Sequence, residues 1–463
     1  MIAYFTKNIK SYIAHAPSAA TRSKYPPSCS AKSSRFFRPG RILGAALLAA
    51  SALPALAQQT VNIAGPLSIN YSICGNATNI NTGNCAATND SGGNTVTVDG
   101  VTPSAGASIG FAGGLSMDAA VAPASSASHN QITVTASTAD SIFGGVDLQE
   151  QDDLNAEAMS NVVTMVSGTF INVTGGNASA AGGNAVGVSA SLNTVTVQSG
   201  TVSGNVYGGD VSTEDGNTNL FASDNNVFIN GGSVYNVVGG SVDCLVGGCN
   251  NVIAAGNLVQ LTGGAITGNL IAGALAPYDN NLATSNTVDI GAGVSIAPGV
   301  ALHGGMADSS TGNILNLRQS GLTVVGLDYF QQLNFFVPAN FAAGGAMLTA
   351  SSAANLDYAD ATVSFQIAAG SKLAVGDKIV LISSPALTLP AAAIAVTNNQ
   401  GYTFDVTRSA TELSVTLKGL PPAPVPVING GVTSVPTLGA AGLGLLALLL
   451  SAGAALRMRR SKH

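Results

Sequence analysis

Apolar residues in the middle of the chain recur in short alternating runs, and the runs themselves recur about every thirty residues. The clearest copy extends from Asn193 to Gly209 and reads NTVTVQSGTVSGNVYGG. An apolar-x-apolar alternation over four residues is typical of a half-buried β-strand, and glycine or asparagine between such runs is typical of a tight turn. The pattern therefore predicts short strands separated by sharp turns.

This unit repeats eight times across the middle of the chain, and many copies close on a glycine pair, as at Gly144-Gly145 and Gly208-Gly209. The asparagines that begin the copies are Asn94, Asn130, Asn161, Asn193, Asn226, Asn257, Asn286 and Asn313, at intervals of 36, 31, 32, 33, 31, 29 and 27 residues. A period of this size is typical of a solenoid, in which each unit buries its apolar face against its neighbours.

Three apolar pieces in each unit (TVTV, GTV and NVY in the clearest copy) predict three short strands per coil. Such coils are typical of an all-β, right-handed parallel β-helix, and eight of them stacked at ~4.8 Å would make a rod roughly 40 Å long. The 56 glycines and 9% charged residues would also suit a disordered chain. Disordered segments are poor in β-branched residues, however, and this chain is rich in valine and threonine.

Charge divides the chain into three parts. Residues 58–437 contain all 23 acidic residues and only five basic ones, a net charge of −18, and no Lys or Arg lies between Gln58 and Leu317. Because nucleic-acid binding needs cationic side chains to replace phosphate counterions, we expect no nucleic-acid partner.

The N-terminal part, residues 1–57, has the layout of a signal peptide with a long basic region. Arg35, Arg38 and Arg41 precede the apolar run ILGAALLAASAL. The run ends near a small-x-small cleavage site formed by Ala55 and Ala57, so the mature chain is expected to begin at Gln58.

The C-terminal part follows a Pro-rich linker at residues 420–434. Val435, Pro436, Thr437 and Leu438 precede an apolar stretch of 19 residues that ends at Leu456, and an arginine-rich tail follows. Nineteen helical residues span roughly 28 Å, enough to cross a bilayer core, and the basic tail predicts a cytoplasmic C-terminus.

This order over residues 435–463 resembles the IPTL-CTERM sorting signal of Gram-negative bacteria. The resemblance implies a transmembrane helix, an inner-membrane intermediate, and removal of the tail by a dedicated sorting protease. A plain single-span membrane anchor is the alternative interpretation of the same segment.

Four cysteines remain after the signal peptide, two of them in a predicted N-terminal cap at residues 58–93. An even number in an exported protein favours disulfides, and close spacing favours the local pairs Cys74–Cys85 and Cys244–Cys249. A zinc site is the competing interpretation, but neither pair has CxxC spacing or a nearby histidine. We expect no metal site and no cofactor.

The coils at residues 94–317 resemble autotransporter passenger domains, whose units read similarly to NxVxVxGGxVxGxVYGG. The resemblance continues from Thr311 to Pro338 and from Gly370 to Ile382, where passengers have similar segments after the last coil. It implies a β-rich C-terminal cap at residues 318–419.

Residues typical of enzymes are present but scattered. The acidic pairs Asp152/Asp153 and Glu214/Asp215 lie in predicted loops. The segment 147–157 is expected to be the most charged loop, and proteases are expected to cut first there or in the Pro-rich linker at 421–426. The motif G-x-S-x-G around Ser108 has no strand–turn–helix context. His303 occupies the position that Tyr207 fills in another unit, which favours a structural role.

Taken together, these patterns predict an exported, surface-displayed β-helical protein with an adhesive or structural role and no enzymatic activity. Its final location would be the cell surface, the outer membrane or the extracellular space. The expected partners are the membrane before processing, the sorting protease, and an extracellular polysaccharide or the surface of a host or neighbouring cell. The alternative is a secreted β-helical enzyme that degrades polysaccharides, which would need carboxylates from adjacent coils to converge in a groove.

Overall fold

The computed structural model describes residues 59–421, with gaps at 70–71, 76, 80–83, 86–90, 118–123, 150–154, 181–184, 214–216, 245–247, 276–280, 308, 359 and 392–393. The side chains of residues 77–79, 84–85, 117, 124–125 and 186 are also left undescribed. The predicted cleavage site at Ala55, Ala57 and Gln58, the linker beyond residue 421, and the sorting motif with its helix at 435–463 lie outside the described residues.

The described residues form strands on every coil. The N-terminal strands are β1 (Thr60–Ile63), β2 (Leu67–Ile69), β3 (Ile73–Cys74), β4 (Ala77–Asn79), β5 (Asn84–Cys85), β6 (Thr95–Asp99), β7 (Val101–Pro103), β8 (Gly110–Ala112), β9 (Leu115–Met117) and β10 (Ala124–Ser126). The central strands are β11 (Gln131–Thr135), β12 (Ser137–Gln149), β13 (Asn155–Glu157), β14 (Val162–Met165), β15 (Gly168–Ala180), β16 (Val186–Ser189), β17 (Thr194–Val197), β18 (Thr201–Thr213), β19 (Thr218–Phe221), β20 (Asn226–Ile229), β21 (Ser233–Cys244), β22 (Asn250–Ala255), β23 (Leu258–Leu261), β24 (Ala265–Ile266), β25 (Leu270–Leu275), β26 (Asn281–Thr284), β27 (Thr287–Ile290), β28 (Ser295–Ile296), β29 (Ala301–His303) and β30 (Ser309–Thr311). The C-terminal strands are β31 (Ile314–Leu317), β32 (Leu322–Asp328), β33 (Gln332–Val337), β34 (Ala346–Asn355), β35 (Thr362–Ile367), β36 (Lys378–Ser383), β37 (Leu387–Thr388), β38 (Ala395–Thr397), β39 (Thr403–Arg408) and β40 (Glu412–Gly419).

Successive coils stack through parallel strand pairs into a right-handed-type solenoid of about 9 turns. The predicted all-β solenoid is therefore confirmed. Among the described residues there is no helix long and apolar enough to cross a membrane. The predicted transmembrane helix falls outside those residues.

One coil shows how the repeat is built. After Asn193 the chain forms β17, then the 13-residue strand β18, then β19, which has the sequence TNLF. The predicted division into TVTV, GTV and NVY is wrong on this point, because GTV and NVY belong to the single strand β18. The pair Gly208–Gly209 bends β18 without ending its hydrogen bonding to the neighbouring coils.

Each kind of strand stacks with its equivalents on other coils. Strands like β17 form a first sheet of twelve, in the order β1-β6-β11-β14-β17-β20-β23-β27-β31-β33-β35-β38. Strands like β19 form a second sheet of seven, in the order β10-β13-β16-β19-β22-β26-β30. The bent strands β12, β15, β18 and β21 connect the two sheets and pair in parallel with one another.

The bend divides the cross-section into two lobes with separate cores. In the first lobe, the first sheet and the first halves of the bent strands enclose a core of valine, isoleucine, leucine and phenylalanine, including Val195 and Val202. In the second lobe, the second halves of the bent strands and the seven-stranded sheet enclose a smaller core, including Ala178 and Leu220. Burial alternates along the strands, as the apolar-x-apolar pattern predicts. In β17 the threonines are half-buried and the valines are buried.

A buried ladder of asparagine side chains runs between the lobes. The backbone N–H and the Nδ2 of Asn193 both donate to Oδ1 of Asn225, at 3.0 and 3.1 Å, and its Nδ2 also donates to the carbonyl of Ala158 at 2.9 Å. The ladder residues are Asn94, Asn130, Asn161, Asn193, Asn225, Asn257, Asn286 and Asn313. The assignment of Asn226 to the start of the fifth unit is therefore wrong by one residue. Asn226 lies in β20 opposite Thr194, facing outward.

The residue before each ladder asparagine has a positive φ. Three of these residues are glycine, but the others are His129, Ser160, Leu192, Asp224 and Ser285, with φ between 56° and 61°. The left-handed conformation is unfavourable for residues other than glycine and least so for asparagine and aspartate. The fold therefore imposes this turn on each coil, whichever side chain is present.

The glycine pairs form two columns against the ladder. A Cβ added to Gly208 would lie 2.2 Å from the carbonyl oxygen of Gly239 and 2.7 Å from Cβ of Asn225, and one added to Gly209 would lie 2.0 Å from the carbonyl of Ala190. Their φ values are not in the left-handed range, so close approach, and not a special backbone conformation, explains the repeated glycine pair.

The coils change after the ladder ends. Asn313 donates its backbone N–H to Oε1 of Gln331, only 18 residues later, because the second lobe stops after β30. The first sheet continues through β33, β35 and β38, and β36, β40 and β39 then pair antiparallel. Arg318 makes a bidentate ion pair with Asp289 and lies 4.2 Å above the ring of Phe336.

Candidate functional site on the outer bend

The outer side of the bent strands carries two columns of side chains, one before and one after the glycine pairs. Side chains that point outward just before and just after each pair approach each other: at the N-terminal end Phe143, Leu115 and Val146 pack together outside both lobe cores. We call this surface the outer bend. Its first column is Phe143, Thr174, Tyr207, Val238, Ile271, His303 and Asp328, and its second is Leu115, Val146, Asn177, Asp210, Ser241 and Ala274.

Two carboxylates lie in the middle of the outer bend. Asp210 accepts a hydrogen bond from Nδ2 of Asn177 at 3.2 Å, and burial raises its pKa to about 6, opposed by the hydrogen bonds of Ser241 and Asn177. Asp243 lies on the next coil. Its register partner in β18 is Ser212, two residues after Asp210, so Asp243 is a diagonal neighbour of Asp210 on the same outward side. Burial raises the pKa of Asp243 as well. Burial, and secondly the charge of Asp210, raise the pKa of Tyr207.

The C-terminal end of the outer bend is a cluster of rings around one carboxylate. Oδ1 of Asp328 accepts hydrogen bonds from the Tyr358 hydroxyl, from the backbone N–H of Tyr329 at 2.8 Å and from Nδ2 of Asn355 at 3.1 Å. His303 is the register neighbour of Asp328 on the preceding coil. The ring centroids of His303 and Tyr329 are 6.3 Å apart, and those of Tyr329 and Tyr358 are 6.5 Å apart. We call these five residues the ring cluster.

Burial is the largest cause of the pKa shifts of His303 and Tyr358. It lowers the pKa of His303, and the charge of Asp328 opposes that shift. Burial, the hydrogen bond to Asp328 and the Asp328 charge together raise the pKa of Tyr358 well above its usual range. The equivalence of His303 and Tyr207 that the sequence indicates is confirmed, since both lie in the first column. The contact of His303 with Tyr329 has no signal in the repeat.

A second candidate surface is the outer face of the first sheet. Its central outward column reads Thr97, Thr133, Thr164, Thr196, Phe228, Gln260, Asp289, Asn316, Asn334, Ser364 and Thr397. The only carboxylate in this column, Asp289, is neutralised by Arg318. The result is a central column without net charge, in which most side chains are hydroxyl or amide groups in line.

The structure brings one predicted cysteine pair together. Cys244 and Cys249 form a disulfide with a Cα–Cα distance of 6.3 Å, and both are buried in the second lobe. Cys74 is also disulfide-bonded. Its pairing with Cys85 stays a prediction, because the side chain of Cys85 lies outside the described part.

The predicted charged loop at 147–157 is partly wrong. Asp147 and Gln149 lie in β12 and are buried, and residues 155–157 form β13. Asp147 accepts hydrogen bonds from Nε2 of Gln149 at 2.8 Å and from the backbone N–H of Glu157 at 2.7 Å. This carboxylate therefore holds the start of the seven-stranded sheet against the bent strand.

Other motifs are not assembled into sites. Ser108 of G-x-S-x-G donates to Asp140 on the next coil, and the segment continues into a strand. The acidic pairs Asp152/Asp153 and Glu214/Asp215 lie outside the described residues. Among the described residues, no three His, Cys, Asp or Glu side chains converge as a metal site would require.

Comparison with known protein families gives information on the C-terminal end of the chain. An IPTL-CTERM motif matches residues 433–460. The chain carries an IPTL-CTERM sorting signal. This IPTL-CTERM segment contains Val435, Pro436, Thr437 and Leu438, as predicted, and together with the solenoid it indicates an exported protein that is sorted to the cell surface. No curated protein matches the chain in sequence.

Proposed function

We propose that the protein is a non-enzymatic, surface-displayed β-helical scaffold with an adhesive or structural role. The observation that carries this proposal is the uncharged outer column of the first sheet. Its hydroxyl and amide groups stand in register at the spacing of the coils, about 4.8 Å. A repeating partner, such as an extracellular polysaccharide or the surface of a neighbouring cell, can form the same hydrogen bond on several coils at once, so weak contacts add to a firm attachment.

Two pairs of substitutions test the adhesive face. Thr164→Glu with Thr196→Glu places charge on the outer column of the first sheet, while Thr169→Glu with Thr201→Glu places the same charge on exposed positions of the bent strands. We expect the first pair to abolish attachment of displaying cells to polysaccharide-coated or cell-coated surfaces and the second pair to leave it intact. Equal attachment by both pairs would contradict an adhesive role for this face.

Processing at both ends is part of the same proposal. The signal peptide is expected to be cleaved after Ala57, and a sorting protease is expected to remove the IPTL-CTERM tail after the protein reaches the inner membrane. Mass spectrometry of the surface-exposed protein should find Gln58 at the N-terminus and no peptide from residues 438–463. Recovery of the intact tail from surface protein would instead favour a plain membrane anchor.

One observation favours the second candidate, a polysaccharide hydrolase. Asp210 and Asp243 are diagonal neighbours on adjacent coils and point to the same outward side, and the strand spacing with two residues of rise places their Cβ atoms about 8 Å apart. Inverting glycosidases use two carboxyl groups about 6.5–9.5 Å apart, one of them kept protonated. A pKa of about 6 for Asp210 would keep that carboxyl protonated in mildly acidic solution.

Hydrolysis is tested by release of reducing ends from a panel of polysaccharides at pH 5. If Asp210 is the general acid, Asp210→Asn should lower the rate by about a hundredfold or more, whereas the exposed Asp224→Asn should not change it. Absence of any release by the unsubstituted protein would remove this second candidate and leave the scaffold proposal standing.

A further inference from the structure

The ring cluster lies where the second lobe has ended. The seven-stranded sheet stops at β30, and from there only the first lobe continues toward β34. His303, Asp328, Tyr329, Asn355 and Tyr358 are all half-buried. No further coil of the second lobe follows among the described residues, and the partial exposure of the five side chains gives a small ligand access to the cluster.

Asp328 is a carboxylate without a positive partner. Its Oδ1 accepts three donors, but its Oδ2 has no hydrogen-bond partner within the described part of the chain. The ion pairs of the described residues join Arg318 to Asp289 and use Lys378 and Lys418 elsewhere. An oxygen of a half-buried carboxylate that accepts no hydrogen bond can take a positively charged partner from solution.

The surroundings of Asp328 select the kind of cation. A hard metal ion needs about six oxygen ligands, and the cluster offers one uncommitted carboxylate oxygen. The rings of Tyr329 and Tyr358 present π-electron faces instead, which attract alkylammonium groups. His303 contributes a third ring, and burial lowers its pKa, so it adds no competing positive charge at neutral pH. Its Nδ1 is buried and has no hydrogen-bond partner among the residues that the structure describes.

The backbone at the cluster is constrained. Tyr329 has a φ of 63°, an unfavourable value for a bulky residue. This conformation points its N–H at Oδ1 of Asp328 and at the hydroxyl of Tyr358, at 2.8 and 2.7 Å. These two hydrogen bonds hold the backbone of Tyr329 in this conformation, so the position of its side chain beside Asp328 is fixed.

We propose that the ring cluster binds an organic ammonium ion, with Oδ2 of Asp328 as its counter-ion and the rings of Tyr329, Tyr358 and His303 against its alkyl groups. The site is separate from the outer face of the first sheet and from the Asp210–Asp243 pair, and it requires neither the adhesive nor the hydrolytic function. It gives the scaffold a defined small-ligand site at one end of the outer bend.

The first test compares two ligands that have the same shape. Choline is titrated into the full chain by calorimetry, beside the neutral alcohol in which a tert-butyl group replaces the trimethylammonium group. We expect choline to bind at least about tenfold more tightly, because only the charged ligand gains the carboxylate and cation–π interactions. Equal affinities, or no choline binding, would overturn the proposal without any substitution being made.

The second test uses variants that keep the backbone. Asp328→Asn removes the charge and keeps an acceptor, and Tyr329→Asn removes a ring while tolerating the left-handed conformation. Each should weaken choline binding by about tenfold or more. Asp224→Asn and Tyr235→Asn are the matched controls, since both residues are exposed on other surfaces. Unchanged affinity in Asp328→Asn would also overturn the proposal, provided that its thermal unfolding matches that of the unsubstituted protein.

A vesicle experiment distinguishes two sources of the ammonium group. Sedimentation with phosphatidylcholine vesicles that is lost in Asp328→Asn would identify a lipid headgroup as the ligand. Binding of free choline with no sedimentation of vesicles would identify a soluble ligand. Sedimentation that is the same in Asp328→Asn would show that vesicles bind elsewhere, and would count against a lipid headgroup at this site.

Discussion

The two lobes of each coil are built by different means. The first lobe has a core that extends over the whole described solenoid and contains Phe111, Phe170, Phe335 and Phe365. The second lobe extends over fewer coils, and nine of the 17 residues of its core are alanine. Because alanine buries little apolar surface, the second lobe gains less from the hydrophobic effect. It is held instead by the asparagine ladder at its border, by buried hydrogen bonds such as those of Asp147, and by a disulfide.

This comparison indicates that the second lobe depends on the first. We expect it to open locally before the first lobe unfolds, as regions with few large apolar contacts do. The first lobe would then be the structural rod, and the second lobe an attached layer that shapes the outer bend.

The largest effect is expected from adding a side chain at the glycine pairs, where the two lobes meet. Gly208→Ala would place a Cβ 2.2 Å from the carbonyl of Gly239, and backbone would have to move on two coils. We expect a loss of about 3 kcal/mol or more in the free energy of unfolding, measured in urea. Gly299→Ala is the control, since a Cβ there meets nothing within 4 Å. Similar losses in both variants would mean that the lobes are not tightly joined.

The ladder itself gives the next largest effect. Asn225→Ala leaves the buried donors of Asn193 without their acceptor, at a cost of about 2–3 kcal/mol in the free energy of unfolding. The neighbouring Asn226→Ala changes an outward side chain and should cost less than about 0.5 kcal/mol. If the two variants unfold at the same urea concentration, the ladder does not join the lobes as described.

The disulfide should affect one lobe and not the other. Replacing Cys244 and Cys249 by alanine opens a short loop and should destabilise the second lobe by about 2 kcal/mol. Hydrogen exchange should become faster in β22 of the second lobe and stay unchanged in β20 of the first lobe. Equal acceleration in both strands would show that the lobes unfold as one unit.

The smallest effect is a gain in stability at the ladder turn. Leu192 is exposed and has a φ of 61°, so Leu192→Gly should remove strain and raise the free energy of unfolding by about 1 kcal/mol. Leu67→Gly has the opposite expectation, since Leu67 is equally exposed but lies in strand β2, where glycine is unfavourable. A loss of stability in Leu192→Gly would mean that its side chain stabilises the turn.

The sequence predicts the first lobe far better than the second. The large β-branched residues of strands such as TVTV show the period, the parallel stacking and the inward positions. The strands of the second sheet, such as NAE and TNLF, face a core of alanines and need no large apolar residue, so they give no clear alternation. The sequence pattern likewise predicts two strands where there is one bent strand, because a glycine pair in sequence has the same appearance as a turn.

The remaining errors concern residues whose role depends on neighbouring coils. Asn225 and Asn226 are adjacent in sequence, and only the hydrogen bonds to Asn193 and Asn257 show which one belongs to the ladder. The ring cluster joins His303, Tyr329 and Tyr358 from consecutive coils of unequal length. These side chains come into contact because the second lobe ends at this point. No pattern of residues in the sequence predicts where that lobe ends.

The asparagine ladder also has a direction, and this makes the two ends of the solenoid unequal. Every ladder residue donates toward the C-terminal neighbour and accepts from the N-terminal one, from Asn94 to Gln331. Removing coils from the N-terminal side leaves the Oδ1 of the new first residue without its donors and takes one of the two acceptors of its Nδ2. Removing coils from the C-terminal side leaves both the backbone N–H and the Nδ2 of the new last residue without the amide oxygen that they share, which folded proteins tolerate less. The solenoid can therefore be shortened at its N-terminal end more easily than at its C-terminal end. A coil added at the N-terminal end finds the acceptor oxygen of the ladder already in place.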